Sequence, residues 1–299
     1  MTLGEKNMVQ LMTDRICMVT GATSGIGLVT ARTLAHHGAT VVAVGRNPEK
    51  GAAIVNEIKR QVGNSSVDFL QADLSSQQDI RRLVGTFRER YSNLHVLVNN
   101  AGATFGKRQE SIDGLEMTFA LNHLGYFLLT NLLLATMKAS VPARIINVAS
   151  EVHAWRKQID FADLQGQRRY SEMGAYAQSK LANVLFTYEL ARRLSCDLSV
   201  QGLTVNAMNP GVVKTNFQMQ SGVWSKLSKM MANAFVGIDV EKGAETILYL
   251  ATSPRVEKVT GRYFEKGKEV NSSKASYDEA TAHQLWQMSA KLTGLEMSV

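Results

Sequence analysis

Short, almost wholly apolar runs alternate along this chain with longer segments in which apolar residues recur every three to four positions. "ICMVT" (16–20) reads as a buried strand, and helical periodicity follows from Ile26 to His37. "TVVAVG" (40–45) precedes a helix carrying Glu49, Ile54 and Ile58, and "VDFLQAD" (67–73) precedes one from Gln78 to Tyr91. The same alternation continues through "LHVLVNNAG" (94–102), a long helix around Glu116 to Met137, and "ARIINVAS" (143–150). A helix holding Tyr176 and Lys180 and then "LTVNAMNPG" (203–211) complete it. Strands that are apolar on both faces, each followed by a helix, predict a parallel sheet covered on both sides. Six such strands precede residue 211, and "GRYFEKG" (261–267) supplies a candidate edge strand. The expected architecture is one α/β, doubly wound domain with a sheet of about seven strands.

Two stretches break the rhythm, the polar segment 151–173 and the Met-, Ser- and Lys-rich segment 217–238. Both follow carboxyl ends of strands, where ligands bind in such sheets. No Pro- or Ser-rich linker divides the chain, so residues 14–299 read as one domain behind a short N-terminal extension, 1–13. That extension, MTLGEKNMVQLMT, is too polar and too short for a membrane span or signal peptide. "FLLTNLLLA" (127–135) is apolar but shorter than a span, so a buried helix is expected there, without a transmembrane segment and in a cytoplasmic protein.

Composition narrows the function classes. Cys17 and Cys196 form neither a disulfide framework nor a metal-ligand pattern, which favours a reducing compartment. The six histidines likewise lack metal-ligand spacing, so no metal is expected. The net charge of +7 favours an anionic partner, but the basic residues are spread out and no aromatic-and-basic stripe points to nucleic acid.

Candidate chemistry starts after the first strand, at "TGATSGIG" (20–27). Gly21, Gly25 and Gly27 follow a GxxxGxG spacing in place of GxGxxG. Together with Thr23, Ser24 and Ile26 they form a turn whose backbone N–H groups could approach a pyrophosphate at a helix start. The second strand ends at Arg46 with no acidic residue at its tip. An aspartate there would bind a ribose 2′-hydroxyl; Arg46 favours a 2′-phosphate, hence NADP(H) over NAD(H). Asp73, followed by Leu74, ends the third strand and could accept from an adenine amino group or cap the next helix. "GAYAQSK" (174–180) sets Tyr176 and Lys180 one helical turn apart, which by itself is either an activated acid pair or a shared helix face.

These pieces, in this order, resemble the short-chain dehydrogenase/reductase family over nearly the whole chain. The matching signatures are TGATSGIG (20–27), NNAG (99–102), Asn122 in "FALNHLG", Ser150 in "INVAS", YAQSK (176–180) and "NPG" (209–211). "LNHLGYFLLTNLLL", "YAQSKLANVLFTYELARRL", the closing "LWQMSAKLTGL" and the long Ser150–Tyr176 interval resemble the retinol dehydrogenase-like and protochlorophyllide reductase-like branch. The resemblance implies a Rossmann fold and a catalytic set of Asn122, Ser150, Tyr176 and Lys180. Tyr176 would be the general acid/base, its phenol pKa lowered from about 10 by the neighbouring ammonium together with the positive charge on oxidised nicotinamide. Lys180 would also bind the nicotinamide ribose, Ser150 would hydrogen-bond the substrate oxygen, and Asn122 would hold a water leading from Lys180 to solvent. Asn99, Ala101 and Gly102 would pass under the adenosine, although the Asn99 and Asn100 side chains could instead stabilise a strand end. Pro210, Gly211, Val213 and Thr215 would hold the carboxamide.

The function this implies is NADPH-linked hydride transfer to or from a lipophilic aldehyde, ketone or alcohol. Reduction of a carbon–carbon double bond and a non-catalytic nucleotide-binding regulator are the alternatives. Relatives often form dimers or tetramers through the Asn122 and Tyr176 helices, and the apolar run beside Asn122 is open to that reading or to core burial. His153 is read as loop packing more readily than as part of a substrate entrance. Trp224, Met230, Met231 and Phe235 could form a flexible apolar lid or core. The final helix, with Leu285, Trp286, Leu292 and Leu295, reads as packing.

Overall fold

The computed structural model describes residues 11–197, 201–211, 219–220 and 240–295. The alternation seen in the sequence becomes β1 (Ile16–Thr20), α1 (Gly25–His36), β2 (Thr40–Gly45), α2 (Pro48–Val62), β3 (Val67–Gln71), α3 (Gln77–Arg90) and β4 (Val96–Asn99). A short β5 (Thr104–Phe105) precedes one helical run, composed of α4 (Met117–Phe119), a π turn (Ala120–Leu124) and α5 (Gly125–Ala139). Then come β6 (Ala143–Val148), α6 (Glu172–Cys196), β7 (Leu203–Asn209), β8 (Met219–Gln220), α7 (Val240–Thr252), β9 (Tyr263–Glu265), β10 (Lys268–Glu269) and α8 (Glu279–Thr293).

The main sheet has eight strands in the order β10-β9-β7-β6-β4-β1-β2-β3. Its neighbours pair in parallel except at β10, which runs antiparallel to β9. The edge strand expected in "GRYFEKG" is therefore β9, and the true edge is the exposed dipeptide β10 folded back on it. The pleat sends alternate residues to opposite layers. Met18 and Leu97 face a core built with α3, α5 and α6, whereas Cys17, Val19, Val96 and Val98 face one built with α1, α2 and α7.

Helix α8 lies outside α5 and α6. Trp286 sits against Phe127 and Phe186, with ring centroids 5.0 and 5.7 Å away, and Arg193 stacks on its outer side. Core burial thus accounts for the apolar run beside Asn122: Phe127, Leu128, Leu129 and Leu133 are all inside the chain. By length and composition, the helical run Met117–Lys138 could cross a membrane, contrary to the shorter stretch read from sequence; 78% of its apolar window is buried in the molecule.

Candidate functional site

The glycine turn joins β1 to α1. Gly21 adopts φ +66°, a conformation that side chains oppose. At Gly27 a Cβ would lie 2.4 Å from the Gly21 carbonyl oxygen and 2.5 Å from Asn100 Nδ2, so only glycine lets helix and strand approach this closely. Thr20 Oγ1 accepts from the backbone N–H groups of Asn100 and Ala101, while Asn100 Nδ2 donates to the Thr20 carbonyl at 2.8 Å. The Asn100 side chain thus stabilises a strand end, one of its two readings, whereas the part of the Thr20 hydroxyl was not read from the sequence.

The start of α1 differs from other helix starts in the chain. Asn47, Ser76, Ser171 and Asp278 cap α2, α3, α6 and α8 with side-chain hydrogen bonds, and each of those helices has an acidic residue in its first turn. Ser24 makes no such bond, and the first turn of α1, with Gly25, Ile26 and Gly27, holds no acid. Uncapped amides beside positive backbone polarity fit an anionic group, as a dinucleotide's pyrophosphate requires.

Thr23 meets the end of β2: a Cβ on Gly45 would lie 2.8 Å from Thr23 Cγ2. Arg46 follows with an exposed side chain and no ion pair among the described residues; its carbonyl accepts from Gln71 Nε2. Asp73 accepts at Oδ1 from Ser75 N and Ser75 Oγ at 2.9 and 2.7 Å, so it shapes the turn after β3 while Ser76 caps α3. The Leu74 side chain is buried in the core, which leaves only its backbone for a ligand.

Asn99 follows the second of its two readings. As the last residue of β4 it follows the pleat of Leu97 inward, and it is fully buried. Its Nδ2 donates to Thr130 Oγ1 and to Asn147 Oδ1, the side chain paired with it across the sheet. Its side chain therefore supports the sheet interior, and Asn100 faces the glycine turn. Ala101 and Gly102 remain partly exposed at the strand's carboxyl end.

Around Gly102 the candidate catalytic residues converge. A Cβ there would lie 3.1 Å from Asn122 Oδ1 and 3.7 Å from Lys180 Nζ. Asn122 occupies the π turn; its Oδ1 accepts from Ala103 N at 2.9 Å, and its Nδ2 reaches the Ala103 carbonyl and Ser179 Oγ. Ser150, two residues past β6, caps the short 3-10 turn Glu151–Trp155, and its side chain is hydrogen-bonded to Tyr176. Lys180 is buried, with Nζ donating to the Val148 carbonyl at 2.9 Å and 5.5 Å from the centre of the Tyr176 ring. The Tyr126 ring lies 5.7 Å away on another side, and its buried hydroxyl has no hydrogen-bond partner among the described residues.

Burial dominates the electrostatics of the cofactor-free site. Tyr176 keeps some exposure as a residue, yet desolvation of its phenolate pushes the phenol up to about 12 against the smaller opposing pull of the Ser150 hydrogen bond. Burial lowers Lys180 to about 7. Without a bound cofactor, the ammonium does not lower the phenol, because burial disfavours both charged forms.

The polar segment 151–173 is held on α6 by the central glutamine of YAQSK. Gln178 Oε1 accepts from Arg156 Nη2 and Asp160 N, and Gln178 Nε2 donates to the Leu164 carbonyl. His153 packs as expected: Nδ1 donates to the Ser150 carbonyl at 2.7 Å, and Nε2 accepts from Ser273 N at 2.9 Å. At the end of β7, Pro210 leads to Gly211, whose N–H donates to Asn209 Oδ1 in a turn with φ +79°. Val213, Thr215, Trp224, Met230, Met231 and Phe235 lie outside the described residues.

The short chain dehydrogenase family model matches residues 15–226. The chain belongs to the short-chain dehydrogenase/reductase family. It is an oxidoreductase of the retinol dehydrogenase-like branch. It is 40% identical over 286 residues to human (Homo sapiens) polyprenol dehydrogenase, covering 94% of this chain and 86% of that protein. Identity to Mus musculus retinol dehydrogenase 12 is 39%, with 94% and 87% covered. Among solved structures, an uncharacterised protein from Mycobacterium Paratuberculosis superposes with TM-score 0.77 at 31% identity, covering 99% of this chain and 98% of that one. The Pseudomonas aeruginosa RhlG/NADP complex superposes with TM-score 0.68 at 26% identity, covering 86% and 96%.

Proposed function

We propose that this oxidoreductase is an NADPH-dependent reductase of a lipophilic aldehyde or ketone, or the dehydrogenase of the corresponding alcohol. The observation that carries the reading is the convergence of the hydrogen-bonded Tyr176–Ser150 pair with buried Lys180 beside Gly102. A purely nucleotide-binding protein has no need of a phenol there. Bound nicotinamide supplies or accepts the hydride.

The chain's own residues do the rest. Backbone amides of Gly25, Ile26 and Gly27 would hold the pyrophosphate, and Arg46 would pair with a 2′-phosphate. Tyr176, with its pKa near 12, is protonated at neutral pH and ready to give its proton to the developing alkoxide. Ser150 donates a hydrogen bond to the same oxygen. Lys180 would bind the nicotinamide ribose. The lipophilic substrate class is supported by the names of the relatives, polyprenol and retinol dehydrogenases.

The test is absorbance loss from NADPH, and separately NADH, against a panel of aldehydes, ketones and enones, with product analysis. NADPH-linked carbonyl reduction is expected. Cofactor binding with no turnover on any member would defeat the reductase reading, and reduced enone double bonds would replace it with C=C chemistry.

A further inference from the structure

The π turn that carries Asn122 has its own clamp. Within the turn the helical ladder slips by one residue: the Gly125 N–H donates to the Ala120 carbonyl five residues back. Such slips redirect carbonyls away from their regular partners. The Asn122 carbonyl accepts from Asn183 Nδ2 on α6 at 2.9 Å. With Nδ2 committed to that bond, Asn183 Oδ1 faces His123 Nδ1 at 3.3 Å. His123 Nε2 lies 2.9 Å from Ser289 Oγ on α8.

The polarity of this chain is self-consistent. Asn183 Oδ1 can only accept, so Nδ1 of His123 carries the proton, and Nε2 accepts from the Ser289 hydroxyl. Burial holds the imidazole at about 4, so it stays neutral through the physiological range. All three side chains are buried at 0–1% exposure. Asn183 is tied from the other side as well, because Thr187 Oγ1 donates to its carbonyl and accepts from Asn147 Nδ2. The backbone of the π turn is thus linked to the sheet interior and to a helix more than 160 residues further on, the His123–Ser289 separation being 166.

We infer that Asn183, oriented by His123 and Ser289, is a positioning residue that fixes the Asn122 carbonyl at the edge of the Tyr176–Lys180 site, and that α8 is thereby part of the active-site support. The inference rests on the reductase reading for its catalytic consequence. Asn183 acts through Asn122 and touches neither substrate nor cofactor. Asn122 side-chain bonds to Ala103 and Ser179 set the amide, and Ser179 Oγ in turn donates to the Tyr176 carbonyl. The Asn183 bond sets the main chain. An Asn122 main chain free to shift would carry its side-chain amide away from Ala103 and Ser179 and disturb the Tyr176 carbonyl to which Ser179 donates, slowing turnover with little effect on cofactor affinity.

The experiment compares the full-length wild type with Asn183→Leu, Asn183→Asp and Ser289→Ala. Each is read by kcat and KM, by NADPH binding through fluorescence, and by amide hydrogen exchange across residues 120–126. Asn183→Leu should lose about tenfold or more in kcat, keep NADPH affinity within about threefold, and exchange faster across the π turn. Asn183→Asp should recover activity on acidification relative to Asn183→Leu, because a neutral carboxyl can again donate to the Asn122 carbonyl. Ser289→Ala removes only the far end of the chain, so it should fold and show the same split in milder form. If Asn183→Leu is unfolded, Ser289→Ala decides alone. Folded variants with kcat within about twofold of wild type and unchanged exchange would overturn the clamp. A wild type that binds NADPH but reduces nothing would instead overturn the reductase reading and the catalytic role with it, whatever the exchange shows.

Discussion

Lys180 donates Nζ to the Val148 carbonyl at 2.9 Å while lying 5.5 Å from the centre of the Tyr176 ring. Two consequences can be measured separately. The first concerns chemistry: Tyr176→Phe removes the proton donor and leaves the turn before α1 intact. Turnover should fall about a hundred- to ten-thousand-fold with NADPH binding retained. Residual activity above a tenth of wild type would move the acid role to another group.

The second consequence is a pH dependence of the cofactor-free protein. Burial holds Lys180 near 7 against 10.5 for an unfolded lysine. Between those values the unfolded chain binds the extra proton, so stability rises with pH. The penalty is complete below about 7 and gone above 10.5. Burial raises Cys17 and Tyr176, so the unfolded chain gives up those protons first and the two groups oppose the rise as pH approaches 9. Melting temperature should therefore climb from pH 7 to about 8.5 in wild type, and the climb should flatten in Lys180→Met. Parallel curves for the two proteins would show that Lys180 is not the group responsible.

Arg46 stands exposed at the end of β2 with no ion pair among the described residues, beside Thr23 and Gly45. Arg46→Asp should weaken NADPH binding by roughly ten- to a hundredfold, the size of a charge-assisted hydrogen bond. NADH should gain relative to NADPH, since a carboxylate there accepts from a ribose hydroxyl. Titrating both cofactors by fluorescence checks this. An unchanged preference ratio would mean that another residue reads the 2′ position.

Gly27 tests the turn itself. A methyl at this position would collide with the Gly21 carbonyl and Asn100 Nδ2, at 2.4 and 2.5 Å, and the carbonyl belongs to rigid backbone. Gly27→Ala should destabilise the protein by about 1–3 kcal/mol in urea unfolding. Shifting Gly21 also disturbs the uncapped amides, so NADPH affinity should fall alongside. Full affinity in a destabilised variant would separate packing from phosphate binding.

Much of this was legible because buried parallel strands must be apolar on both faces, which marks them as short uninterrupted runs. β10 was not, since Lys268 and Glu269 are exposed and look like loop. The Tyr176–Lys180 spacing and the glycines are local signals and survive without a structure. Asn99 and Asn100 are indistinguishable by type, and only the pleat decides which one turns inward. His123, Asn183 and Ser289 carried no signal at all: each is an ordinary helix residue until the fold brings α8 onto α5 and α6. The high pKa of Tyr176 without cofactor was not legible either, because spacing gives proximity but says nothing of desolvation.

The docking of α8 is the last relationship to test. Trp286 is 8% exposed and packs edge-on to Phe127 at 5.0 Å, with Arg193 Cζ 4.3 Å from its ring centre. The end of the helix is pinned where Gln77 Nε2 and Arg81 Nη2 donate to the Leu292 and Thr293 carbonyls, both at 2.8 Å. Trp286→Ala removes the largest apolar contact of this interface and should cost about 3–5 kcal/mol in urea unfolding. Arg193→Lys keeps the charge but loses the planar stack, so it should cost less than about 1 kcal/mol. Two-state unfolding should persist in both, because α8 shares its core with α5 and α6. A Trp286→Ala loss below about 1 kcal/mol, or an early separate transition, would make α8 a peripheral appendage instead of part of the domain core.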